Sequence, residues 1–81
     1  MKLRSSEFLL RVQANGVVQI YSVLFSTILT KDYERLILSH FGVENWKTFL
    51  SKYKIVFKYV DSVLLCRLFL DFDTLSVKVL D

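Results

Sequence analysis

Asn15-Gly16 lies between two β-prone runs, Glu7 to Ala14 and Val17 to Leu24, and no other feature of the chain constrains its fold so tightly. An Asn-Gly pair flanked by alternating apolar residues is the strongest short-range hairpin signal. A type I′ turn needs φ > 0 at both central residues, and this pair tolerates that. With a two-residue loop, Ala14 faces Val17, Val12 faces Gln19, Leu10 faces Tyr21 and Phe8 faces Val23, which makes one mostly apolar face. The other face pairs Gln13 with Val18, Arg11 with Ile20, Leu9 with Ser22 and Glu7 with Leu24, the mixture expected of a half-exposed surface. The competing reading is a pair of helices broken at Gly16, because Phe8, Leu9 and Val12 also fit a helical stripe. β-branched Val17, Val18, Ile20 and Val23 favour strands.

After Leu29 the period changes. Thr30 can cap a helix, Asp32 falls in its first turn, and Tyr33, Leu36, Ile37 and Phe41 recur at i, i+3, i+4 and i+8, with Gly42 at the C′ position. A second helix from about Glu44 to Lys52 puts Val43, Trp46, Phe49, Leu50 and Tyr53 on one stripe and leaves Lys47, Thr48, Ser51 and Lys52 outside it. The remainder reads as a meander. A tight turn at Asp61-Ser62 sets Ile55, Phe57 and Tyr59 opposite Leu68, Cys66 and Leu64. A second turn at Asp73-Thr74 sets Phe72, Leu70 and Leu68 opposite Leu75, Val77 and Val79. The three strands then agree on one buried face, a stronger signal than any single propensity. A helix from Asp61 to Phe72 is the alternative there, since Leu, Cys and Arg are not specific to strands.

These elements give an α+β chain of order β-β-α-α-β-β-β, with an antiparallel sheet and a helical pair packed on one face. The order resembles that of profilin-like and PAS-like sheets, a likeness of element order alone that implies nothing about activity. If residues 5–29 are helical instead, a winged-helix-like arrangement takes its place. Residues 1–81 contain no proline, linker, repeat or low-complexity stretch, so they read as a single compact domain.

Hydrophobic residues make up 53% of the 81, more than one small core can hide, which points to a second copy or another protein covering part of the surface. A net charge of +3 mildly favours anionic partners, but the bases, spread from Lys2 to Lys78, form no polybasic run. The single cysteine, Cys66, forbids an intramolecular disulfide and indicates a reducing, cytoplasmic or otherwise intracellular compartment. Lys2 and Arg4 precede no uninterrupted apolar stretch, so the N-terminus does not read as a signal peptide. The longest charge-free stretch, Val12 to Thr30, carries too many polar residues for a membrane span.

Chemistry is sparsely represented. His40, the only histidine, falls in the last turn of the first helix, where a cation is favoured by the helix C-terminus. Cys66 points into the predicted core as a small hydrophobe. Asp71, Asp73 and Asp81 are the remaining candidates for a divalent ion, but Asp71 and Asp73 sit where turns favour Asp for its backbone hydrogen bonds. With only Gly16 and Gly42 there is no phosphate-cradling loop. No catalytic residue, metal site, cofactor or small-molecule substrate is indicated, and the chain reads as a non-enzyme.

What remains is the outer face of the meander. There Lys54 faces Phe69, which faces Lys78; Val56 faces Arg67, which faces Leu80; and Lys58 faces Leu65. The reading is a non-catalytic interaction or regulatory module, a homodimer or adaptor, with Val56, Leu65, Phe69 and Leu80 as the buried contact. Lys54, Lys58, Arg67 and Lys78 set orientation and anion preference. The alternative is a small nucleic-acid-binding regulator that uses either this face or the second helix of a helix-turn-helix-like pair, with Lys47 and Lys52 as contacts.

Overall fold

A computed structural model describes residues 3–80; Lys2 and Asp81 lie outside the described residues. The elements are β1 (Ser6–Val12), β2 (Val18–Ser22), β3 (Thr27–Ile28), α1 (Lys31–His40), α2 (Trp46–Lys52), β4 (Lys58–Val60), β5 (Val63–Asp71) and β6 (Ser76–Leu80). The strands form one antiparallel sheet, in which β3, β2, β1 and β5 lie side by side and the far edge of β5 is shared by β4 and β6. The N-terminal segment is therefore sheet, and the winged-helix-like alternative does not hold.

The first hairpin forms, but through a longer loop than the Asn-Gly pair suggested. Gly16 N donates to Gln13 O at 2.8 Å, Gln13 N donates to Val17 O at 2.9 Å, and only Gly16, at φ +83°, is left-handed. This is a three-residue loop: a β-turn with ordinary central residues, closed by a glycine bulge. The extra residue shifts the register by one, so that Leu10 pairs with Ile20 and Leu9 with Tyr21. Phe8 and Leu10 face inward as expected, but their partners on β2 are Ser22 and Ile20, and Tyr21 turns to the other face. Ser22 is fully buried and its hydroxyl accepts from Phe25 N at 3.1 Å, so the inward polar group is satisfied. The short β3, paired at Tyr21 and Ser22, has no strong sequence signal and was not expected.

The type I′ geometry occurs instead at Asp61-Ser62, both left-handed at φ +51° and +68°. Tyr59 pairs with Leu64, Leu68 with Val79 and Leu70 with Val77, in the expected registers. The expected pairings of Lys54 with Phe69 and Val56 with Arg67 do not form, and the reason is a matter of edges. A strand has two; β1 occupies one along Leu64 to Leu70, and on the other β6 already holds Arg67 to Asp71. β4 is left with Val63 to Leu65 and runs for only three residues. Ile55 and Phe57 still pack against the core, whereas Tyr59 is 75% exposed at the sheet margin.

Both helices lie on the face formed by Phe8, Leu10, Ile20, Cys66, Leu68 and Leu70, with Ile37, Leu38, Phe41, Trp46 and Phe49 completing the core. Thr30 Oγ1 caps α1 by accepting from Tyr33 N, and Asn45 Oδ1 caps α2 by accepting from Thr48 N. α2 thus starts at Trp46, two residues after the expected Glu44. In α1 the inward stripe carries Leu38 rather than Leu36, because Glu34 is itself buried and accepts from the Trp46 indole N–H at 2.8 Å.

The two helices end alike. Gly42 N donates to Ser39 O and Val43 N to Leu38 O, while Lys54 N donates to Ser51 O and Ile55 N to Leu50 O, the paired bonds of a Schellman motif. The left-handed position is Gly42 in one and Lys54, at φ +53°, in the other. Lys54 is therefore a helix terminator and not a strand residue.

Candidate functional site

The face of the sheet away from the helices is built from the alternate residues of the same strands. One row runs Ile28, Tyr21, Leu9, Arg67, Leu80; on one side of it lie Glu7, Phe69 and Lys78, and on the other Gln19, Arg11, Leu65 and Lys58. Phe69 is 37% and Ile28 50% exposed, so neither helix nor loop covers this surface. Where β4 and β6 part, an apolar notch of about 150 Å³ opens among Leu9, Val56, Val60, Leu65 and Leu80, with Lys58 and Arg67 on its lining. Val56, although unpaired, reaches this notch at 73% exposure.

Charge on the face is arranged in pairs and flanks. Arg67 Nε donates to Glu7 Oε2 at 2.9 Å across β5 and β1. That hydrogen bond, assisted by the guanidinium charge, holds the Glu7 carboxyl below its ordinary value and raises Arg67. Arg11 donates to the Gln19 side chain. Lys78 stands opposite Phe69 and Lys58 opposite Leu65. At the end of β5, Asp71 Oδ1 accepts from Asp73 N at 2.9 Å and Thr74 N at 3.1 Å, which lowers its carboxyl and ties it to the β5–β6 loop.

The structure brings together Val56, Leu65, Leu80, Lys58 and Arg67 around the notch, with Phe69 and Lys78 adjacent. It separates Lys54, at the end of α2, and Lys47 and Lys52, which lie on the exposed side of α2 with Thr48 and Ser51. Lys52 Nζ turns back to Phe41 O at 3.4 Å, and α2 spans only seven residues with Trp46 and Phe49 committed to the core. Tyr21 and Ile28 are the members of the face that sequence reasoning missed. Leu9, Arg11 and Glu7 were legible as half-exposed, but their place beside β5 depends on pairing between strands some 60 positions apart in sequence, as between Glu7 and Arg67.

The remaining chemical candidates have structural tasks. His40 Nε2 lies 2.8 Å from Phe72 O, and its ring makes edge contacts with Phe41 and Phe72, fastening α1 to the β5–β6 turn. Cys66 is buried, and desolvation pushes its thiol up despite the nearby Lys58 charge, the opposite of what a nucleophile needs. Among the described residues no three His, Cys, Asp or Glu side chains gather as a metal site, and no helix is long and apolar enough to cross a membrane. No family model, curated protein or solved structure matches the chain.

Proposed function

We propose that this chain is a non-catalytic interaction module, a homodimer or an adaptor, that works through the open face of its sheet. The observation that carries this reading is the one-sided cover. Both helices lie on one face, and the other presents aliphatic and aromatic side chains flanked by cations, the composition of a surface that is buried against something else. Its single thiol suits a reducing intracellular compartment.

Thermal melts of Leu65→Lys and Phe69→Glu test whether the face is a working surface or part of the core. Both variants should stay folded with nearly unchanged melting temperature; loss of folding in both would remove the reading. Light scattering up to high micromolar concentration then separates the two forms of the module. A dimer that Phe69→Glu converts to monomer supports self-association, and a monomer throughout removes it.

A further inference from the structure

We infer that the open face binds single-stranded nucleic acid, an inference that rests on reading that face as the working surface. The glycine bulge at Gly16 puts Tyr21 on the same face as Phe69, so the sheet offers two aromatic rings there. They are two strands and two residues apart, or about 12 Å at the usual sheet spacings. That exceeds the ~3.4 Å rise of stacked bases several-fold, so the rings suit bases splayed from an extended strand rather than neighbours within a duplex.

Charge on this face favours the same partner. Arg11, Lys58, Arg67 and Lys78 stand on the face or its flanks. Among the described residues the face carries two carboxylates, Glu7 bonded by Arg67 and Asp71 bonded by the amides of its loop, against these four cations. A phosphate backbone gains from the surplus of cations over carboxylates on this face. Aromatic platforms bordered by cations are how sheets hold single strands with little sequence preference. Lys47 and Lys52, on the helix layer, take no part.

Fluorescence anisotropy with labelled oligo(dT) and oligo(U) of about twelve nucleotides tests this directly. Binding should weaken steeply between about 20 and 200 mM salt, with a log–log slope of about −2 to −3 for three or four neutralised phosphates. Tyr21→Leu and Phe69→Leu keep the apolar contact but remove the ring, and each should weaken binding about 5- to 150-fold. Lys78→Gln should reduce the salt slope by about 0.7. Phe25→Leu, which changes an exposed ring in the β2–β3 loop, should leave binding unchanged. Binding that ignores salt, that prefers a duplex, or that survives both ring removals overturns the proposal. If no oligonucleotide binds and Phe69→Glu dissolves a dimer, the occupant is a second copy: the proposal falls and the working face stands. If no oligonucleotide binds and both face variants unfold the chain, both fall.

Discussion

Alternate residues of β5 meet opposite fates on the two faces of the sheet. Cys66, Leu68 and Leu70 are buried beneath the helices, while Leu65, Arg67 and Phe69 point to the side where no element lies. The helix-covered face uses polar groups sparingly and satisfies each: Ser22 bonds to Phe25 N and Glu34 to the Trp46 indole. The open face places charge beside apolar surface and neutralises part of it locally, as in the Glu7–Arg67 pair. An apolar residue count therefore says little about core size here, because part of it builds a surface that the fold does not need.

Truncation along β5 should break this comparison most sharply. Leu68→Ala removes a fully buried side chain and is expected to cost about 2–5 kcal/mol in urea unfolding. Leu65→Ala, on the same strand and three positions away, should cost less than about 1 kcal/mol because the lost area is only partly withdrawn from water. Equal costs would mean that the open face is covered after all. The next effect belongs to the polar group inside the core. Glu34→Ala leaves the Trp46 N–H buried without its acceptor and should cost about 1–3 kcal/mol, and adding Trp46→Phe should recover part of that loss. Strict additivity of the two would show that the hydrogen bond does not couple them.

Much of the sheet can be read from the chain, and the exceptions have physical causes. The β4–β5 and β5–β6 registers follow from turn position together with apolar alternation. Asn15-Gly16 marks a turn correctly but is equally at home in a three-residue loop, where glycine alone takes the left-handed place, and one residue of loop length exchanges the faces of β2. The alliance of β1 with β5 is non-local, so no turn encodes it, yet it decides that β4 and β6 must share an edge. The α1 stripe is displaced because Trp46, twelve positions after Glu34, gives that carboxylate a buried partner. At the open face, Leu65, Phe69 and Leu80 were legible from alternation, Val56 lies by the notch without the strand pairing expected of it, and Tyr21 became legible only with the bulge.

Lys54 gives a smaller test whose sign is decisive. As a strand residue on the open face it would be weakened by glycine, which costs about 0.5–1 kcal/mol relative to alanine inside a strand. As the left-handed terminator of α2, at φ +53°, it should be improved by glycine. Lys54→Gly is therefore expected to raise stability by about 0.5–1 kcal/mol, and Gly42→Ala, at the equivalent end of α1, to lower it by about 1 kcal/mol. Destabilisation by Lys54→Gly would return that residue to the sheet.

The smallest expected effect is electrostatic and separates the charges of the open face from those of a freely solvated surface. The Arg67 hydrogen bond depresses the Glu7 carboxyl below its ordinary value near 4.5, and amides of the β5–β6 loop do the same for Asp71. A depressed carboxyl binds fewer protons in the folded than in the unfolded chain, so its contribution is present above its ordinary value, 4.5 for Glu7 and 3.8 for Asp71, and lost as pH falls through the folded value. Melting temperature followed from pH 6 to pH 3 should decline in the native chain and decline less in Glu7→Gln. Asp71→Asn should flatten the same limb while leaving the loop bonded, since an amide oxygen still accepts from Asp73 and Thr74. An unchanged acid limb in Glu7→Gln would mean that Arg67 does not hold that carboxylate, and the open face would then present a fixed negative charge in the path of any phosphate backbone.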